Sequence, residues 1–465
     1  MGSHGITFRS ALTLVAAYLG LFVGLIDANA VNLALPAIRD DLGGGVSGAQ
    51  WTIDAYNIAF AALLLTAGSL GDRFGRRRLL RLGLLVFVSA SVACAVAPSL
   101  PLLLVARTLQ GVGAAVMLPQ GLAITAAAFP DPVERARATA AWAMAAAMST
   151  AVGPILGGVL TDTAGWRQIF WLNAPIGVLA LVMTYAYLPE SRDDRPAGID
   201  WRGQVLAILA LASVTVALVE GHTMSPAWLV TLAVAAAAVV AAFVGSQQRA
   251  RHPMLPLAMF RSRPLVTALI ATFTMTLGIY GLLLVNSFAF QQQRGASALA
   301  TAWWFIPLPL TYLVLIPVVN AMTRRTNPRT PMTAGLLLMA TGLGVYACVG
   351  PQANICLLEA AFVLAGAGLA LNTAPAVGLA MSAMPIRRSG LASGVVNLAR
   401  LVGITVGVAS LGSIMAAVDD IGGVRAALAL GVAALLAGAL ITYRSRPAAF
   451  ERGREDVSCV TSPRS

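Results

Sequence analysis

The 465-residue sequence predicts an all-α membrane protein of fourteen spanning helices, grouped six, two and six, with both termini cytoplasmic. Three observations carry this prediction. Hydrophobic residues make up 58% of the chain and charged residues only 11%, less than half the roughly 25% charged share of a soluble domain. At roughly 20 apolar residues per span, that stock fills thirteen or fourteen helices, and apolar runs between polar, proline or glycine punctuation number fourteen. All 31 basic residues are arginine: twenty-five fall in one set of alternate loops, four in the other and two inside spans. Positive residues concentrate in cytoplasmic loops, and one missed span in mid-chain would invert the alternation.

In order, spans 11–36, 50–70, 79–97, 101–127, 138–161 and 166–188 make an N-terminal bundle over residues 1–188. The first run contains Asp27, is too long for a signal-peptide core and lacks a small-residue cleavage site, so it counts as a span; residues 1–5 (MGSHG) are set aside. Two longer cytoplasmic segments, 189–202 and 247–263, bracket extra spans 203–220 and 227–246, giving a linker region over 189–263. Spans 264–291, 298–321, 331–349, 354–382, 391–417 and 424–443 make a C-terminal bundle over 264–443, followed by a cytoplasmic tail, 444–465. The halves show weak self-similarity. LQGVGAAVMLPQGLAI (109–124) and LAGAGLALNTAPAVGLAM (364–381) both carry GxG with a proline eight or nine positions after its first glycine. A repeated six-helix unit is the plan of many secondary transporters, with substrate bound between the halves.

Other classes are excluded. No GxxxxGK[ST] loop is present, and no soluble segment has the length of an ATPase domain, so an ion gradient is the expected energy source. No Ser-His-Asp or HExxH pattern and no metal-ligand cluster occurs; His222 and His252 stand alone in loops. Cys94, Cys348, Cys356 and Cys459 form no CxxC pair. The expectation is therefore no enzyme, no metal and no cofactor beyond a proton gradient. A pI near 10.5 would suggest nucleic acid in a soluble protein, but topology accounts for the arginines and no nucleic-acid partner is expected. The lack of lysine beside abundant alanine and glycine fits a GC-rich bacterium and its plasma membrane.

The loop after span 2 reads Gly68-Ser-Leu-Gly-Asp72-Arg73-Phe-Gly75-Arg76-Arg-Arg78. A basic cytoplasmic loop with one stray acid would be less regular. It resembles the signature loop of the major facilitator superfamily, which implies that fold and gating roles for Gly68, Asp72, Arg73, Gly75 and Arg76. The equivalent second-half loop, 322–331, keeps arginines but has no acid, so any latch is asymmetric. Span 5 carries Gly153-Pro154-Ile-Leu-Gly157-Gly158. Close helix packing alone would explain the glycines, but the stretch resembles the superfamily's antiporter motif, which implies export. Asp27, Asn29, Asn32 and Pro36 in span 1, Trp51 to Tyr56 entering span 2, Arg107 to Gln110 in span 4 and Asn397 to Gly403 in span 13 resemble the fourteen-span drug:proton antiporter family. Leu401 stands where that family usually has glutamine.

Charges inside spans are costly, about 2.5–3.5 kcal/mol each at a helix centre, and persist where paired or functional. They are Asp27, Asp54, Arg107, Glu359 and Arg400. At 1.5 Å rise per residue, Asp27 lies roughly 13 Å below the outer end of its span, Arg107 roughly 9 Å and Asp54 roughly 6–10 Å. Asp27 is the favoured proton carrier, because a carboxyl in a low-dielectric cavity can cycle between charge states and would compete for a cationic drug. Arg107 stays charged and tunes it; the alternative is a structural Asp27–Arg107 ion pair. Asp54 is either a second proton site or a rim partner. Glu359 either lines the cavity or faces outer water, and Arg400 either binds an anion or satisfies backbone carbonyls. Asp162, Glu220 and the run Gln291 to Arg294 sit at outer ends and are expected to be solvated. Cavity candidates are Asn32, Tyr56, Asn57, Gln110, Gln120, Asn173, Tyr280, Asn286, Phe290, Trp304, Glu359, Asn372 and Arg400, each open to a packing role. The combined expectation is a monomeric, proton-coupled exporter of amphipathic drug-like molecules, cationic ones among them, in a lipid bilayer. The alternatives are a proton-coupled importer of a nutrient on the same fold, or a lipid-handling or receptor-like protein.

Overall fold

The computed structural model describes residues 8–129, 131–193, 198–323, 326–350, 352–384, 389–418 and 420–445. Arg195, Arg324, Arg325, Arg387, Arg388 and the tail from Arg446 onward lie outside the described residues. The described chain is helical, with no strand, and fourteen of its helices are long and apolar enough to cross a membrane. They are α1 (Phe8–Leu42), α2 (Gly45–Phe74), α3 (Arg76–Ala95), α4 (Leu100–Ala128), α5 (Pro132–Ala164), α6 (Arg167–Tyr187), α7 (Trp201–Glu220), α8 (Pro226–Arg249), α9 (Arg263–Phe288), α10 (Ala298–Phe305) with α11 (Pro307–Thr323), α12 (Arg329–Val349), α13 (Ile355–Ser382), α14 (Ser389–Ala417) and α15 (Asp420–Arg444).

Two elements depart from the sequence boundaries. α1 does not stop at Pro36; it carries that proline inside the helix and ends at Leu42. The stop comes from Gly43, Gly44 and Gly45, whose φ values of +76°, +83° and +61° lie in the left-handed region that favours glycine. The tenth span is broken: α10 ends where Ile306 N–H bonds back to Trp303 O at 3.2 Å, and Pro307, which has no N–H, starts α11. α9 runs on through a π-helical turn, Ala289–Gln293.

Side chains pack into two cores. One draws mainly on α1–α6, with Leu84, Phe87, Leu103 and Phe170 fully enclosed. The other draws mainly on α9–α15, where Phe290 makes ring contacts to Trp304 at 5.2 Å, Phe305 at 6.0 Å, Tyr346 at 6.2 Å and Phe362 at 6.3 Å. Tyr280 and Met415 pack against both cores. Helices α3 and α4 cross closely enough that a Cβ on Gly113 would lie 2.6 Å from Phe87 N. Helices α12 and α13 do the same, with a Cβ on Gly335 falling 2.7 Å from Gly368 O. Each core thus has a glycine-lined crossing at the same place in its helix order.

The cores meet along three seams: α2 on α14, α5 on α10, and α1 on α9. Helix α7 lies over the first seam and touches both α2 and α14, whereas α8 packs on α7 and is largely exposed. Asp200 fixes the base of this pair by capping α7 at Gly203 N (2.8 Å) and accepting from Gln247 Nε2 on α8 (2.6 Å).

Candidate proton and substrate sites

Inside the first core, five helices converge on one carboxylate. Asp27 Oδ2 on α1 accepts from Arg107 Nη1 on α4 at 2.6 Å, and both side chains are excluded from solvent. Asp27 Oδ1 accepts from Asn173 Nδ2 on α6 (2.7 Å) and Gln110 Nε2 on α4 (3.0 Å). Gln110 also donates to Ser91 Oγ on α3 at 2.9 Å. Arg107 donates further to Gln110 Oε1 at 2.6 Å and, through Nε, to Thr52 O on α2 at 2.9 Å. The Tyr56 and Phe170 rings lie 4.6 and 5.6 Å from the guanidinium carbon. Opposite charges and hydrogen bonds offset the desolvation of both ions. Asn173, a pocket candidate from sequence, is spent on this network.

Asp54 has the opposite environment. It is fully buried on α2 where that helix meets α14, and neither carboxyl oxygen makes a hydrogen bond. The Thr405 hydroxyl on α14 faces it and is likewise unbonded. One turn away, Gln50 Nε2 ties the same seam, donating to Val408 O (3.0 Å), Ala409 O (2.7 Å) and Ser413 Oγ (3.3 Å). Ser413 Oγ donates to Leu218 O on α7 at 2.7 Å.

A third group lies in the second core. Arg400 on α14 is half-buried, and Tyr280 on α9 and Tyr312 on α11 are close to it, with Thr373 on α13 beside Tyr312. Asn286 and Asn372 are fully buried; Asn372 Nδ2 donates to Ala271 O at 3.2 Å, and Asn286 makes no side-chain hydrogen bond. Asn32 Nδ2 and Gln120 Nε2 bond to backbone carbonyls of Ala28 and Ala67, each at 2.9 Å. Trp304 packs on Phe290 under Arg294. Glu359 is half-buried near the start of α13, apart from these groups.

At the end of the bundle away from the chain termini the two cores are stitched together. Both Asp162 oxygens, at the end of α5, accept from the first backbone N–H groups of α10, Ala298 (3.0 Å) and Leu299 (2.8 Å). Gln291 Nε2 donates to Leu33 O at 3.0 Å, and Trp51 Nε1 to Glu220 Oε1 at 2.7 Å. Asp162 is exposed, as expected of a span end, and its carboxylate is also a structural contact. Glu220 and Gln291, half-buried, are corrected from solvated ends to structural contacts, because folding brings a fixed donor or acceptor to each. Gly158 faces α10, where a Cβ would lie 2.8 Å from Ala302 Cβ, while Gly153 and Gly157 face Asn29 and Ala30 on α1. Pro154 sits inside α5 between them.

At the other end, Asp72 Oδ1 accepts from Arg76 Nε (3.0 Å) and Nη2 (2.8 Å). The segment after α6 lies across this loop: Arg76 N–H bonds to Ser191 O, Asp193 N–H to Asp72 O, and Arg77 N–H to the Glu190 carboxylate, at 2.9, 2.9 and 3.0 Å. Gly75 ends α2 with φ +103°, Gly68 has open space around it, and Arg73 stacks on Phe74 at 5.6 Å.

The family profile described as Major Facilitator Superfamily matches residues 17–408, with a second match over 269–456. The chain belongs to the major facilitator superfamily. It is 36% identical over 366 residues to a Mycobacterium tuberculosis protein named multidrug resistance protein Stp, covering 78% of this chain and 68% of that one. It is 35% identical over 375 residues to the tetracenomycin C resistance and export protein of Streptomyces glaucescens, covering 79% and 69%. A peptide transporter structure superposes with a TM-score of 0.70 at 16% identity over 92% and 93% of the two chains. A D-xylose–proton symporter structure superposes at 0.68 and 16% over 95% and 98%. At that identity the likeness concerns the fold alone.

As a member of this superfamily with fourteen apolar helices, the chain is a multi-pass membrane transporter. Sequence reasoning missed Gln50, Thr405 and Tyr312. Gln50 had a usable signal: it stands four residues before Asp54, on the same face of α2.

Proposed function

We propose that this transporter is a proton-coupled exporter of amphipathic small molecules, working by alternating access between two six-helix halves, with α7 and α8 as an added pair. Both termini lie in the cytoplasm, as the arginine distribution supports. The contacts of Asp162, Gln291 and Gly158 then lie at the outer face of a plasma-membrane protein and hold the halves together there. Relatives named for multidrug resistance and for tetracenomycin C resistance and export support export, as does the stretch Gly153 to Gly158. No second reading has an observation in its favour.

The observation that carries the coupling is the contrast between the two acids. Asp27 is saturated by Arg107, Gln110 and Asn173, so it holds three helices together. Asp54 is buried in the seam between halves, facing the Thr405 hydroxyl and with no ion pair among the described residues. An ionised carboxylate there is costly, whereas a protonated one can donate to Thr405. Asp54 therefore carries the proton while this seam is closed and gives it up when the seam parts and water enters. The test is export of a compound panel from an efflux-deficient host, for wild type and Asp54→Asn, with and without an uncoupler. Uncoupler-sensitive export that Asp54→Asn abolishes is expected; proton-driven accumulation inside cells overturns the reading.

A further inference from the structure

Two arginines lie inside the apolar spans, and the protein treats them in opposite ways. Arg107 is enclosed, with a carboxylate at 2.6 Å, two more hydrogen bonds and two aromatic faces. Among the described residues, Arg400 has no ion pair and no hydrogen bond, and its Nε is shut away from solvent without a partner. Tyr280 and Tyr312 lie within electrostatic reach of it. Thr373 completes the group beside Tyr312. Asp54, the acid on the same seam, faces Thr405 instead. The four side chains, on α9, α11, α13 and α14, are half-buried rather than enclosed, so a ligand can reach them. Tyr280 packs on both cores, which puts the group at the junction of the halves.

A guanidinium cannot shed its proton, and an unpaired charge within a membrane span calls for a partner. Arginine and tyrosine hydroxyls present donors, and no carboxylate of the described chain answers them. A ligand carboxylate would, through paired N–H···O bonds in the guanidinium plane. We propose that Arg400 is the binding site for an anionic group, a carboxylate or an ionised phenol, on an amphipathic substrate, with Tyr280 and Tyr312 flanking it. This rests on the exporter reading and narrows its substrate class from drug-like molecules in general to those carrying an acid.

Two dyes on one xanthene frame test it: fluorescein, which carries the carboxylate and phenolate, and rhodamine 123, which is cationic. Each is titrated by fluorescence anisotropy against the purified full-length protein in dodecyl maltoside. Wild type should bind fluorescein, and Arg400→Gln should weaken that binding by about tenfold or more, the scale of one lost charge-assisted contact. Rhodamine 123 affinity should stay within about threefold, a change too small to be such a contact. Arg400→Lys keeps the charge without the planar fork and should fall between; it carries the test if Arg400→Gln does not fold. Equal fluorescein affinity in the folded variants, a parallel loss of both dyes, or no fluorescein binding by wild type overturns the proposal. An anionic lipid headgroup offers the same chemistry, so the titration is repeated in nanodiscs containing phosphatidylglycerol. Retained fluorescein affinity supports a solute site, and its loss there assigns Arg400 to lipid and overturns the substrate assignment. Uncoupler-sensitive export of either dye by wild-type cells reports separately on the exporter reading. Export without Arg400-dependent binding removes the anion site alone, and Arg400-dependent binding without such export removes the coupling alone.

Discussion

Arg107 Nη1 lies 2.6 Å from Asp27 Oδ2 with both side chains shut off from solvent, and each ion is also hydrogen-bonded to further groups. Removing one partner of such a pair leaves the other charge buried and costs about 3–5 kcal/mol. Asp27→Asn and Arg107→Gln should therefore each lower the thermal unfolding midpoint of the purified protein. The double variant should recover part of the loss, because no uncompensated charge remains. Wild-type stability in Asp27→Asn would instead mark the pair as dispensable for the fold.

Asp54 makes a different prediction, because nothing in the seam needs its negative charge. Asn is close in shape to the protonated acid, so Asp54→Asn should fold with an unfolding midpoint near that of wild type. It should bind substrate and exchange it across the membrane, yet a pH gradient should no longer drive accumulation in everted vesicles. Thr405→Val removes only the facing hydroxyl, a hydrogen bond of about 1 kcal/mol, and should weaken coupling without abolishing it. Full pH-driven transport by Asp54→Asn would place the proton elsewhere.

What the sequence revealed and what it hid follow from range. The fourteen spans depend on hydropathy within one helix, so each was legible locally, whereas depth along the helical rise only allowed an Asp27–Arg107 pairing, which the fold supplies. The break before Pro307 was not legible, since Pro36, Pro119 and Pro154 sit inside unbroken helices. Nor were the seam contacts. Asp162 reaches its partners 136 and 137 residues away, Trp51 and Glu220 meet across 169, and Gln50 reaches α14 across 358. An acid at a span end reads as solvated until the facing helix is known. Arg400 was ambiguous for the same reason: only the fold shows that, among the described residues, no acid pairs with it.

Asp162 joins the two cores at the far end by capping a helix that belongs to the other core, and under alternating access that cap favours the closed state there. A side-chain cap contributes about 0.5–2 kcal/mol, so Asp162→Ala should shift the closed-to-open ratio at that end by roughly 2- to 30-fold. Electron-spin distances between labels on the ends of α5 and α10 should show a larger open population than in wild type. Gly158→Val should act the same way by crowding, since the new Cβ would meet Ala302 at 2.8 Å. An unchanged distance distribution in both variants would mean that other seams hold the closed state.

Two glycines of the signature loop should respond differently to the same change. Gly75 adopts φ +103°, and a Cβ there would lie 2.7 Å from Glu190 Oε1, the oxygen that accepts from Arg77 N–H. Gly75→Ala therefore meets backbone strain of about 1–3 kcal/mol and pushes the segment after α6 off the loop. Gly68 is helical, and a Cβ there meets nothing within 4 Å. Gly68→Ala should be neutral or slightly stabilising, because alanine favours the helix by up to about 1 kcal/mol. Protease cleavage between Glu190 and Asp200, compared among the three proteins, checks this. Faster cleavage in Gly75→Ala alone is expected, and equal rates would show that the segment is held by contacts other than those at Gly75.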